Sequence, residues 1–199
     1  MSEFVNQRFF DRPDALLAAR GADSRQSISG PDGDVLVWIT NGGIARPERI
    51  ELASGTRLVR FAGTGHPASA MAGCWWLTFA EYARIEQLAD SKGLPAGTAV
   101  RILCAVPPEW SSMDVIVQVR SKAPLLAYVG QGAPARQGTP LAGVSTVLSG
   151  WELGVSPARQ LFIPGMGSGD VRQHSLSLEG TGFLPSDYSR RGFIHRVET

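Results

Sequence analysis

Short apolar runs separated by clusters of Gly, Pro, Ser and Asp dominate the chain, a pattern of brief strands and frequent turns. Residues 13–20 (PDALLAAR) predict a short helix, with Pro13 near its start and Gly21 just past its end. Residues 21–34 mix small and polar side chains with a Pro-Asp-Gly turn and predict a flexible loop. A buried strand is expected at 35–40 (VLVWIT), stopped by Asn41, Gly42 and Gly43.

The next strand, 57–61 (RLVRF), alternates so that Val59 and Phe61 share one face while Leu58 and Arg60 share the other. With the Val59 face in the core, Arg60 points to the opposite side of the sheet. The clearest helix is 79–89, where Thr78 serves as N-cap, Glu81 completes a capping box, and Tyr82, Ile85, Leu88 and Ala89 form an apolar stripe ended by Gly93 and Pro95. Strands are expected at 99–106, 115–119, 125–129, 144–148 and 160–163. The tail from 165 onward retains Phe183, Tyr188, Phe193 and Ile194 and is expected to pack in part.

Length and composition narrow the class. A chain of 199 residues with 43% apolar and 19% charged positions builds one core without staples, and 23 Gly with 13 Pro argue against a helical bundle. The expectation is an α+β, strand-rich single domain over 1–199, with no repeat and no composition shift. Nineteen Lys plus Arg against 18 Asp plus Glu give a formal charge of +1, too little for a broad nucleic-acid surface. Cys74 and Cys104 lack metal-ligand spacing, so no metal site is expected and both thiols read as buried. His66, His174 and His195 lie far apart and outside any hydrolase motif. No run approaches the roughly 18 apolar residues of a membrane span. The N-terminus lacks a signal-peptide pattern, so a cytoplasmic location is expected, or export into a target cell by a route without a cleaved signal.

Three pieces stand out as chemistry: Arg60 on its strand, Trp75-Trp76 before the capped helix, and the segment 159–165 (RQLFIPG). Their order resembles the arginine-bearing branch of the ADP-ribosyltransferase fold, in which an early strand carries an Arg and a late strand opens with a catalytic Glu followed by aliphatic residues and Pro. Gln160 stands in the place of that Glu, Ala158 stands where a further Glu or Gln is common, and Trp75-Trp76-Leu77-Thr78 replaces the Ser-Thr-Ser motif. The chain is similar in this respect to NAD-hydrolysing bacterial toxins that use Gln on the late strand.

The resemblance covers 56–165 and implies a split mixed sheet with a few short helices: a catalytic core at 55–165, an N-terminal extension at 1–54 and a C-terminal extension at 166–199. It implies NAD as substrate, with Arg60 holding the pyrophosphate through a planar, charge-assisted fork and Gln160 orienting the ribose at the scissile bond. Trp75, with Tyr82 as a second aromatic, would face the nicotinamide, and Thr78 would supply a hydroxyl. Trp75 and Trp76 point opposite ways on an extended segment, so only one of them is expected to line the cleft. A neutral Gln cannot act as a general base, which favours hydrolysis over transfer. The implied partners are a macromolecular ADP-ribose acceptor and a neutralising antitoxin or immunity protein.

A rival reading makes the chain a non-catalytic binding or assembly module whose Trp38, Trp75, Trp76, Trp110 and Trp151 are core or ligand platforms. The enzyme reading expects Arg60, Thr78 and Gln160 on one cleft wall. The Gly-rich segment 165–170 (GMGSGD) is set aside as a dinucleotide fingerprint because the following residues alternate like a strand.

Overall fold

The computed structural model describes residues 4–30, 33–63, 67–137, 146–183 and 195–196. Two short helices, α1 (Gln7–Phe10) and α2 (Ala15–Ala19), open the described chain. Asn6 fixes them to the body of the protein. Its buried Nδ2 donates to the carbonyls of Leu126 (2.8 Å) and Pro164 (3.0 Å), and its Oδ1 accepts the Leu126 N–H at 2.9 Å. A buried amide satisfied on three sides holds chain segments more than a hundred residues apart.

The loop expected at 21–34 is instead a strand, β1 (Ala22–Gly30), paired antiparallel with β2 (Gly33–Thr40). Pairing with a strand-forming partner outweighs the polar local composition. Next comes β3 (Glu48–Leu52), which the sequence pattern did not reveal. It is an edge strand, and its exposed Glu48, Arg49 and Glu51 hide the alternation that buries Leu52.

The centre of the molecule comprises β4 (Arg57–Ala62), α3 (Pro67–Ala70), β5 (Trp75–Thr78), α4 (Phe79–Lys92), α5 (Ala96–Leu103), β6 (Val115–Ser121) and β7 (Leu125–Gln131). Thr78 caps α4 through its Oγ1, which accepts the Glu81 N–H at 3.1 Å, and Gly93 closes it with φ 65°. Only half of the capping box forms, because the Glu81 carboxylate turns away to Arg84 (2.6 Å) and to the backbone N–H of Arg159 (2.9 Å). The strand expected at 99–106 is a correction: α5 occupies it. Ala99, Val100 and Leu103 are buried at helical spacing, and so short an apolar run does not distinguish period 2 from period 3.6.

The remaining elements are β8 (Ala135–Gln137), β9 (Thr146–Leu148), β10 (Arg159–Phe162), α6 (Gly169–Ser175), β11 (Leu176–Phe183) and β12 (His195–Arg196). The segment after GMGSG therefore opens as a helix, a second correction, with Val171 and Ser175 buried one turn apart. A dinucleotide fingerprint still does not result, since β10 and β11 lie apart in the sheet rather than as parallel neighbours. Val144, Tyr188, Phe193, Ile194 and His66 lie outside the described residues, as does the side chain of Trp38.

Eight strands form one curled sheet in the order β12-β11-β6-β4-β5-β10-β7-β3. The expected mixed sheet is not found: every described pair is antiparallel. The helical crossover from β5 to β6 straddles β4, so those two like-directed strands flank β4 and never pair. Both faces of the sheet are covered. Leu58, Trp76, Val117 and Leu161 belong to one apolar cluster, while Val59, Leu77 and Ile116 pack with Ile85 of α4 and Leu103 of α5 in the other. Glu179 of β11 ties three strands together, bonding Arg57 (3.0 Å), Gln118 (2.9 Å) and Arg120 (2.5 Å).

Candidate functional site

The short strand β5 divides its edges between two neighbours. Trp75 and Trp76 pair with Phe162 and Leu161 of β10, whereas Leu77 and Thr78 pair with Val59 and Leu58 of β4. Beyond Val59 the β4–β5 ladder stops, and the two strands separate. Arg60 stands at that point, paired on its other side with Val117.

A cavity of about 700 Å³ opens here, within the range of small-molecule sites. Arg60, Trp75 and Gln160 all line it. By register Arg60 leaves β4 on the Leu58 face and Gln160 leaves β10 on the other, and the break in the ladder lets both reach one space. The Arg60 guanidinium lies directly over Gly73, where any Cβ would overlap it, and Nη1 donates to the Trp75 carbonyl at 2.6 Å. Among the described residues its buried Nε has no hydrogen-bond partner. Burial lowers the pKa of Arg60, offset only in part by Cys74, yet a guanidinium this basic stays charged. Among the described residues no Asp or Glu lines the cavity. A half-buried cation facing a space where the described residues place no carboxylate favours an anionic ligand.

Gln160 is 8% exposed, and its Nε2 donates to the Cys104 carbonyl at 3.0 Å. Gly132 makes room for it, since a Cβ there would sit 2.5 Å from Nε2. With the donor end committed, Oε1 is left as an acceptor for a ligand hydroxyl. Trp75 meets Phe162 edge-on, with ring centroids 4.9 Å apart, and lines the cavity, while its neighbour Trp76 is buried in the core.

Two candidates fall elsewhere. Thr78 does not line the cavity and spends its Oγ1 on the helix cap. Tyr82 is buried on the core face of α4, with its hydroxyl donating to Glu86 at 2.9 Å, and burial together with Glu86 raises its pKa. Arg60 and Gln160 thus share one cleft, and Thr78 stands outside it.

Other lining residues fall outside the site the resemblance implies, and of these only Trp110 was a candidate platform, in the binding-module reading. Ala18, Gly21, Asn41 and Gly43 roof the cavity, so the segment assigned to an N-terminal extension contributes to the site. Ala105, Trp110 and Met113 come from the connection after α5. Ala105 (φ 51°) and Met113 (φ 54°) are the non-glycine residues with left-handed backbone among those described, and both face this space. Such strain concentrates at functional sites. The signal available in the sequence was a tryptophan inside the polar, Pro-rich stretch PPEWSS.

The fold and the cavity together define an α+β protein with a half-buried cation, aromatic walls and an oriented amide around one space. Comparison with family models, with curated proteins and with solved structures returned no match.

Proposed function

We propose that the cavity binds NAD and that the protein cleaves it, releasing nicotinamide and ADP-ribose. The observation that carries this reading is the convergence of Arg60 from β4 and Gln160 from β10, on either side of β5, on one cavity also lined by Trp75. Arg60 pairs with the pyrophosphate, and Trp75 offers its ring to the nicotinamide. Gln160 accepts a hydrogen bond from a ribose hydroxyl through Oε1, holding the sugar as its C–N bond breaks through an oxocarbenium-like state.

Water is the acceptor best suited to these residues, because among the described residues the cavity lining offers no carboxylate to deprotonate a protein nucleophile. An activity that consumes NAD fits a toxin or effector held in check by a neutralising protein. Incubating the full chain with NAD and quantifying free nicotinamide and ADP-ribose tests the reading. Release is expected, and its absence at high protein concentration would reject cleavage. The same lack of a carboxylate favours a second reading, a module that binds a nucleotide without turning it over.

A further inference from the structure

Trp110 lines the same cavity yet is 47% exposed, so its ring stands at the rim. The loop that carries it is held firmly. Arg101 of α5 donates to the carbonyls of Val106 (3.2 Å), Ser111 (2.7 Å) and Ser112 (3.1 Å), stapling both ends of the turn. The Met113 N–H adds a bond to Ser111 Oγ at 3.1 Å, and the left-handed Ala105 and Met113 bracket the segment. Across from it, Gly42 keeps its backbone against the indole, where a Cβ would sit 3.1 Å from the ring. Ile39, Val147 and Trp151 are also exposed, but none of them lines the cavity.

An aromatic surface fixed in place and left open is a preorganised stacking platform. The cavity therefore has one planar platform beside Arg60, at Trp75, and a second at its rim. A ligand that satisfies both carries two flat heads joined by an anion. We infer that Trp110 is the specificity-determining residue for the adenine of an adenosine diphosphate moiety, stacking the base at the rim while the diphosphate reaches Arg60. The inference rests on the NAD reading and adds to it the recognition of the second nucleotide.

Calorimetric titration of the full chain with ADP-ribose and, separately, with nicotinamide mononucleotide tests this. Trp110→Ala is expected to weaken ADP-ribose roughly ten- to hundredfold, the worth of one base stacked on one aromatic ring. Nicotinamide mononucleotide, which lacks adenine, should change less than about twofold. Trp110→Phe should restore most of the ADP-ribose affinity, which a merely structural role would not require. Equal weakening of both ligands, unchanged ADP-ribose affinity in Trp110→Ala, or no ADP-ribose binding by the wild type would each overturn the inference. Selective ADP-ribose binding without nicotinamide release from NAD would sustain Trp110 and reject cleavage alone. NAD cleavage with an unchanged KM in Trp110→Ala would do the reverse.

Discussion

Arg60 Nη1 donates to the Trp75 carbonyl at 2.6 Å, tying the half-buried cation of β4 to the aromatic residue that opens β5. Arg60→Lys keeps a charge but lacks the planar fork, so it should fold and lose most NAD turnover, read as nicotinamide release. Gly73→Ala attacks the same arrangement from beneath. Its new methyl overlaps the guanidinium and should cost about 1–3 kcal/mol as overpacking, visible as a lowered urea midpoint together with lost activity. Full turnover in both variants would remove Arg60 from the site.

Gln160→Ala removes the acceptor and should abolish cleavage while leaving a cooperative melt. Gln160→Glu has a different outcome from a simple restoration of charge. The position of Nε2 faces the Cys104 carbonyl, and a carboxylate oxygen there meets another acceptor in a buried setting. Its folded pKa is raised, so the neutral form keeps the contact and the variant should be most stable at low pH and progressively less stable as pH rises through that pKa. Thermal melts from pH 5 to 8 read the trend, and a flat profile would show that the carbonyl contact is not retained.

Thr78→Ala should cost about 1 kcal/mol through the lost cap and leave ligand affinity unchanged, because the hydroxyl serves Glu81 N–H rather than the cavity. Glu81→Ala should do more. It releases the Arg159 N–H, one residue before Gln160, and is expected to lower turnover as well as stability. A kinetic comparison of the two variants separates cap from strand placement.

Alkaline pH should destabilise the fold. Burial pushes the Cys104 thiol up to about 12 and also raises Tyr82, so both groups ionise more readily in the unfolded chain. Their stabilisation is complete below the unfolded pKa values, roughly 8.5 for Cys and 10 for Tyr, and is lost as pH climbs toward the folded ones. Each contributes a slope of about 1.4 kcal/mol per pH unit in its window. Melting temperatures between pH 8 and 11 check the sign, and Cys104→Ala should flatten the lower part of the fall.

Arg101→Ala frees the carbonyls of Val106, Ser111 and Ser112. Faster amide exchange across 105–113 and weaker ADP-ribose binding are expected, while α4 stays protected.

Much of this arrangement was legible where local chemistry acts alone. Thr78 and Gly93 announced the ends of α4, the Leu58–Arg60 alternation placed the cation opposite Val59, and the opposed directions of Trp75 and Trp76 left one for the core. What stayed hidden depends on partners distant in sequence. The polar β1 is a strand only because β2 pairs with it, and α5 is a helix because Leu103 and Ala99 meet a core the pattern does not name. Ala105 and Met113 show nothing in sequence of the left-handed backbone they adopt. The fingerprint at 165–170 failed for a reason of topology that composition does not carry.

The walls of the cavity come from Gly21, Asn41, Arg60, Trp75, Trp110 and Gln160, spread over most of the chain. No fragment can hold it. A truncated chain beginning at residue 55 would lack the roof supplied by Ala18, Gly21, Asn41 and Gly43, and one ending before 159 would lack the acceptor. Ligand binding is therefore a readout of the completed fold, and a ligand that fills this space should raise the melting temperature of the whole chain in one transition.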